Sequence, residues 1–440
     1  MLSKIGTKGR VVGIIVASGL LILLAYWLLT QSKLQQKYSF LRAQGLPTNA
    51  AELDKYYAVP AGTNDTTELW TEAAAAVTAA KIEQRAAKLP IVGMGPTPIP
   101  RHGQPWAELE DVRVFLKELQ PQMELIHQAC EAGGMARYAE DFRLGQATPM
   151  TNIQMTRTLA RLLTLSAHVH VHSGEEQLAM RDVKSIFAVS ESLQDSPVMI
   201  SGLIRIAVHA IGCKVAMELQ PQANWSDSEL KQLQIAILEA QFRKELLTSL
   251  HGEQAICLDT ISTMPGLLFR ESNALKMIEM LGLLTDGVKV SWAEAMMARQ
   301  EIDRKVLAIR GAGFITQAKF MAISMVLPAV TLSLDASMQA EARQHCAIAA
   351  IAAHRYRLQH GKLPLTLADL TEFLSGDERR RSSLLTDPFD GQPLRFKIED
   401  TRLLIYSIGP NLVDDGGQFE LEKPKEGDVG YAVRKITDGL

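Results

Sequence analysis

His168, His170 and His172, in the run HVHVH, form the densest group of potential metal ligands in the chain. On a helix, His168 and His172 share a face four residues apart, the spacing of zinc-binding pairs, whereas on a strand all three would align. The flanking residues repeat with helical period, so His170 is expected to point elsewhere. Two ligands without an identifiable third predict a solvated helix end rather than a metal centre. Leu250-His251-Gly252-Glu253 places a histidine beside a carboxylate, a pairing that can do acid–base work in a cleft and that any helix interruption can also contain. His251 and Glu253 are therefore the catalytic candidates. The sequence has no G-x-S-x-G elbow, P-loop, dinucleotide fingerprint or H-E-x-x-H, which disfavours nucleotide-driven chemistry and zincin-type proteolysis.

Composition narrows the classes further. The 440 residues carry a net charge of −3 with 22% charged side chains, so no global field attracts nucleic acid or anionic lipid. Arg379-Arg380-Arg381 adjoins Asp377 and Glu378 and is expected to be a solvated loop; with no basic, aromatic-studded face elsewhere, no nucleic-acid partner is expected. Cys130, Cys213, Cys257 and Cys346 are far apart and form no C-x-x-C. They are expected to be buried small apolar residues.

These residues must be positioned by a chain that begins with a membrane segment. Residues 11–30 (VVGIIVASGLLILLAYWLLT) contain no charge and are long enough to cross a hydrocarbon core of about 30 Å as a helix. The stretch is longer than a cleavable signal's core, and Tyr26 and Trp27 sit near its end like interfacial anchors. Lys4, Lys8 and Arg10 are nearly matched by Lys33, Lys37 and Arg42. Orientation thus rests on the short tail at 1–10 staying cytoplasmic while the long remainder is exported. A second uncharged stretch, 320–334, is short and contains Pro328; a buried core helix is expected there, with an interfacial or second membrane helix as the rival.

Residues 31–105 mix helical patches with Pro47, Pro60 and Gly62, then enter a loop at 89–105 with five prolines and three glycines, which cannot continue a helix. From 106 to 335 apolar residues recur at three and four, with breaks at Gly133-Gly134, 145–149, Ser173-Gly174 and Ser196-Pro197. Helices are expected at 151–172, 175–193 and 198–219, and Ser226 to Glu229 looks like a helix start. Such lengths joined by short turns predict antiparallel hairpins in a bundle or stack. The remaining residues, 336–440, change character. A helix through Tyr356 leads to Gly361 and Pro364, and two strand-like runs, 394–398 and 403–407, flank a turn at Glu399-Asp400. The fold class is thus mainly α, with one N-terminal transmembrane helix, a helical hairpin bundle or stack, and a small α+β C-terminal domain.

The order HRYRLQHGKLPLTLADL (354–370), DPFDGQPLRF (387–396), LLIYSIGPNLVDDGG (403–417) resembles the globular part of a type II secretion major pseudopilin. The resemblance covers about the last hundred residues. It implies a calcium ion after the second strand, with Ser407, Asn411, Asp414, Asp415 and Asp428 as ligands by position. Oxygen-only donors of this kind suit a hard cation. The chain departs from that family in lacking a pilin processing site at its start and in having Asn411 where an acidic residue is usual. The helical body, especially 195–212 and 239–255, resembles a group of bacterial membrane-anchored proteins that carry the same tail. That likeness implies architecture and an extracytoplasmic tail, and no activity.

Together these features describe a single-pass protein of the inner (cytoplasmic) membrane, held in the bilayer through residues 11–30, whose extracytoplasmic body is a scaffold for a protein partner. A membrane-anchored hydrolase using His251 and Glu253, or a divergent secretion-system component, is the alternative. A pocket lined by perturbed titratable groups favours the hydrolase, and a broad apolar groove favours the scaffold.

Overall fold

The computed structural model describes residues 7–138, 140–147, 151–264, 267, 269–419 and 427–434. Residues 1–6 of the expected tail, 148–149 of the expected break and 435–440 of the C-terminal domain lie outside this set. Helix α1, Thr7–Ala43, extends well past the expected end at Thr30. The first helix breakers after the apolar stretch are Gly45 and Pro47, so nothing stops it earlier. Its apolar first part is exposed, while Leu34 and Leu41 further along are buried in the body. Asn49 caps α2, Ala50–Tyr56, and α3, Thr67–Ala79, and the short α4, Ile82–Arg85, precede the proline-rich loop.

Beyond the loop come α5 (Leu109–Glu118), α6 (Gln120–Ala132), α7 (Thr151–His172), α8 (Glu176–Glu191), α9 (Met199–Leu219) and α10 (Asp227–Leu238). The expected start at Ser226 is a full capping box, in which Ser226 and Glu229 satisfy each other's backbone N–H groups. Then follow α11 (Phe242–Thr263), α12 (Arg270–Val290), α13 (Trp292–Arg310), α14 (Phe314–Lys319) and α15 (Met321–His360). A 3-10 turn at Leu367–Phe373 and α16 (Glu378–Leu384) lead to strands β1 (Arg395–Ile398), β2 (Arg402–Ser407) and β3 (Val429–Arg434). The strands pair antiparallel in the order β1-β2-β3, with Phe396 opposite Ile405 and Leu404 opposite Ala432. The hairpin matches the expectation; β3 was not anticipated, because VGYAVR follows a glycine- and charge-rich segment with no hairpin turn leading into it.

Two large cores form. One unites α3, α5 to α10, the sheet and the C-terminal half of α15; the other joins the end of α1 to α11, α12, α13 and the N-terminal half of α15. Helix α15 therefore runs unbroken through 335/336, where the change of character placed a boundary. Pro328 lies inside it. In its first part Ile323, Leu327, Val330 and Leu334 are buried as a core helix requires, whereas Met321, Met325 and Leu332 are exposed. All eight side chains of 346–353 (CAIAAIAA) are inaccessible to solvent. The five alanines let α9 and α10 approach on one side and the sheet on the other.

Three helices are long and apolar enough to cross a membrane, where the sequence reading expects one: α1 from Val12, α9 and α15. They differ in surroundings. The apolar window of α1 is 0% buried, whereas those of α9 and α15 are 56% and 50% buried inside the body.

Ala350→Leu forces three extra carbons between α15 and its neighbours. It is expected to cost about 1–3 kcal/mol, read as a lower urea midpoint of the full chain in detergent. An unchanged midpoint contradicts the packing.

Candidate functional site

A cleft of about 1700 Å³ opens between α7, α9, the proline-rich loop, the turn before α10, the end of α15 and β3. Each wall follows from local sequence. Two helices present residues at four-residue spacing, Arg157 and Arg161 from α7 and Lys214 and Glu218 from α9. The loop residues 97–101 cannot form a helix and lie across one rim. At the other rim, the last turns of α15 present His354, Arg357 and Leu358 beside β3 residues 431–434.

The lining carries six cations, Arg101, Arg157, Arg161, Lys214, Arg357 and Arg434, against two carboxylates, Glu218 and Asp227. Both carboxylates are engaged. Asp227 accepts Nε and Nη2 of Arg355 at 2.7 and 3.1 Å, and Glu218 lies 3.8 Å from both Lys214 Nζ and His168 Nε2. Arg357 donates to the Arg434 carbonyl at 2.9 Å and to His354 Nδ1 at 2.8 Å, and its buried Nε has no hydrogen-bond partner among the described residues. Arg157 and Arg161 are exposed on the wall. A concave surface with this excess of positive charge concentrates anionic ligands. Its volume exceeds the roughly 300–1,000 Å³ of small-molecule pockets, so an extended ligand fits it better than a compact one.

The HVHVH histidines separate into three environments. His168 is buried on the cleft wall, and burial together with His172 and Lys214 pushes it down to about 4. His170 Nδ1 donates to the Asp182 carboxylate at 2.9 Å, and despite burial that carboxylate holds the His170 pKa up. His172 Nε2 meets the Pro100 carbonyl at 2.8 Å, and its ring packs on Trp106. The expected solvated helix end holds in part: His168 is buried, whereas His170 and His172 are half-buried and residues 173–175 just beyond them are exposed. Asp182, fully buried, also contacts His127 Nε2 at 3.1 Å. Burial opposes its ionisation, but the bonds from His127 and His170 hold its carboxyl below the ordinary range.

His251 and Glu253 lie within the continuous helix α11 rather than at an interruption, and two residues apart on a helix they face different sides. His251 Nδ1 meets Tyr56 Oη at 3.2 Å, and burial pushes it down to about 4. Glu253 lies toward Cys257, 3.9 Å from its Sγ. Gly252 between them serves packing, because a Cβ there would lie 2.0 Å from the Pro197 carbonyl oxygen.

The residues that the pseudopilin resemblance marks for calcium share one loop region but spend their oxygens on the chain itself. Asp428 accepts the N–H groups of Asp415 and Gly417 at 3.3 and 2.7 Å. Asp414 accepts Tyr406 Oη and Gly416 N–H. Asn411 turns its Nδ2 toward Asp415 at 2.9 Å, so its amide acts there as a donor. Ser407 Oγ donates to Asp387 Oδ1 at 2.7 Å. Among the described residues no group of three or more His, Cys, Asp or Glu side chains is placed to hold a metal ion. As arranged, these donors do not fit calcium. The group that organises the region is Asp387, fully buried, which also accepts the N–H groups of Phe389 and Ile408.

No family model, curated protein or solved structure matches the chain. The site therefore rests on its own geometry. Its one trace in the sequence is the Arg157, Arg161 spacing; the other cations are brought in from positions up to 277 residues away in the 440-residue chain.

His168 and His251 titrate near 4 when folded, against about 6.5 when unfolded. Between those values the unfolded chain binds protons that the folded chain does not, so stability is lost as pH falls from about 6.5 toward 4. The thermal midpoint is expected to decline across that window, and the H168Q/H251Q variant to decline less steeply. Parallel slopes contradict the assignment.

Proposed function

We propose that this chain is a membrane-anchored extracytoplasmic scaffold that receives an extended acidic stretch of a protein partner in its basic cleft. The observation that carries the reading is the excess of six cations over two carboxylates in the cleft lining, with Lys214 paired to Glu218 and Asp227 held by Arg355. The edge strand β3 lines the same cleft. Among the described residues, one side of its backbone pairs with no other strand, which suits a peptide in extended conformation.

The anchor is residues 11–30, and the near balance of flanking charge leaves tail length to set the direction, with the body exported. The long helix, hairpin and Asp-rich loop support a pseudopilin-like tail. Because α15 belongs equally to the body core, that tail serves as a fixed wall of the cleft rather than a separate docking module. By the criterion drawn from the sequence, the shifted His168 and His354 on the cleft wall count toward the hydrolase, and the cleft is charged rather than a broad apolar groove. Against the hydrolase, its candidate residues His251 and Glu253 do not line this cleft and face different sides of α11.

The test is titration of the full chain in detergent with a fluorescent ten-residue peptide rich in glutamate and with its lysine-rich counterpart. The glutamate peptide is expected to bind, and R157E/R161E to weaken it at least about tenfold, roughly 1.4 kcal/mol. Equal binding of both peptides, or an unaffected variant, contradicts the proposal.

A further inference from the structure

Helix α1 enters the body at Tyr26 and Trp27, the pair at the end of its apolar stretch. Tyr26 Oη lies 2.7 Å from Ser272 Oγ, and Trp27 Nε1 donates to Glu271 at 3.1 Å, both in the first turn of α12. The same turn holds the end of α14, two residues before α15 begins, where Asn273 Nδ2 donates to the Lys319 carbonyl. Lys319 Nζ sits 5.0 Å from the centre of the Tyr26 ring. The first turn of α12, the junction of α14 with α15 and the interfacial aromatics of α1 are thus at one level.

Helix α13 ends at Arg310 and α15 begins at Met321, so the connection containing α14 forms the tip of a hairpin at that level. This tip is apolar and uncovered. Phe314 and Ile315 are 84% and 75% exposed, and none of the α14 side chains is buried. Leu307, Met321 and Met325, on the adjoining turns of α13 and α15, are exposed as well. Large apolar side chains this exposed and this clustered mark a contact surface. Arg310 and Lys319 flank the patch, as basic residues do where a protein meets lipid headgroups.

We infer that the α13–α15 tip is a second bilayer contact, with Phe314 and Ile315 inserted at the acyl boundary beside the anchor. The inference rests on reading α1 as the membrane helix, because the level of Tyr26 and Trp27 is what places the tip at the lipid surface. The occupant is lipid rather than protein, since the patch continues the surface of α1 that the bilayer already covers. The body is then held at two points and cannot swing freely about α1.

The experiment places a photoreactive benzoylphenylalanine singly at Leu21, Phe314 or Leu365 in the full chain. Each protein is reconstituted in vesicles of phosphatidylcholine and phosphatidylglycerol and irradiated. Leu365 is equally exposed, at 68%, but far along the chain beyond α15. Lipid adducts are expected at Leu21 and Phe314 and none at Leu365. An adduct at Leu21 without one at Phe314 overturns the second contact and leaves the anchor standing. Adducts at neither overturn the anchor reading and this inference with it. A Phe314 adduct to a second copy of the chain overturns the inference in favour of self-association.

Discussion

The run of small side chains in the middle of α15 is the constraint on which the rest of the structure depends. Residues 346–353 have no exposed side, with the sheet against one flank and α9 and α10 against the other. Polar groups bracket the run and fix its rotation. Gln344 Nε2 donates to the Ile237 and Ala240 carbonyls, and Arg355 reaches Asp227, Gln234 and the Phe373 carbonyl. One turn further, the same helix sets His354 and Arg357 into the cleft. At 1.5 Å per residue, Arg357 lies roughly 54 Å along the helix from Met321, so a single rigid element connects the base of the body to its cleft.

Buried charge supplies the second layer of order. Arg205, 1% exposed, reaches Glu191 at 2.6 Å, Glu245 and the Ser190 carbonyl, tying α8, α9 and α11 together. Asp182 does the same for α6, α7 and α8 through His127 and His170. Such groups add little net stability when intact, but losing one partner costs about 3–5 kcal/mol. They therefore restrict how the helices can pack, and they account for titratable clusters that a search for catalytic or metal chemistry would otherwise claim.

Much of the helical framework was legible because it is written in local period and punctuation. The expected helices at 151–172, 175–193 and 198–219 lie within two residues of α7, α8 and α9 at each end, and the 394–398 and 403–407 runs became the hairpin. The features that escaped are those set by distant residues. Strand β3 forms because β2 offers it an edge, not because its own residues announce it. The cleft is illegible for a related reason: a net charge of −3 over 440 residues conceals six cations gathered from five separate segments. The HVHVH run was read correctly as helix and only partly correctly as solvated, since the burial of His168 and the half-burial of His170 and His172 come from residues around 100, 182 and 218. Hydropathy alone also could not separate α15 from a membrane span, because an alanine-rich helix wrapped by protein and one wrapped by lipid have the same composition.

On the proposed reading α9 and α15, half-buried inside the body, belong to the protein core and α1, whose apolar window is bare, crosses the membrane. Val290, between α9 and α15, and Leu365, beyond α15, therefore belong on the same side of the membrane. Both are exposed, at 67% and 68%, and three of the four cysteines are buried. Single cysteines at these two positions, in a chain with Cys130 replaced by serine, can be labelled with a membrane-impermeant maleimide in sealed vesicles of defined orientation. Labelling of both from the same side is the predicted result. Labelling of Val290→Cys and Leu365→Cys from opposite sides would put α15 across the bilayer and contradict the account.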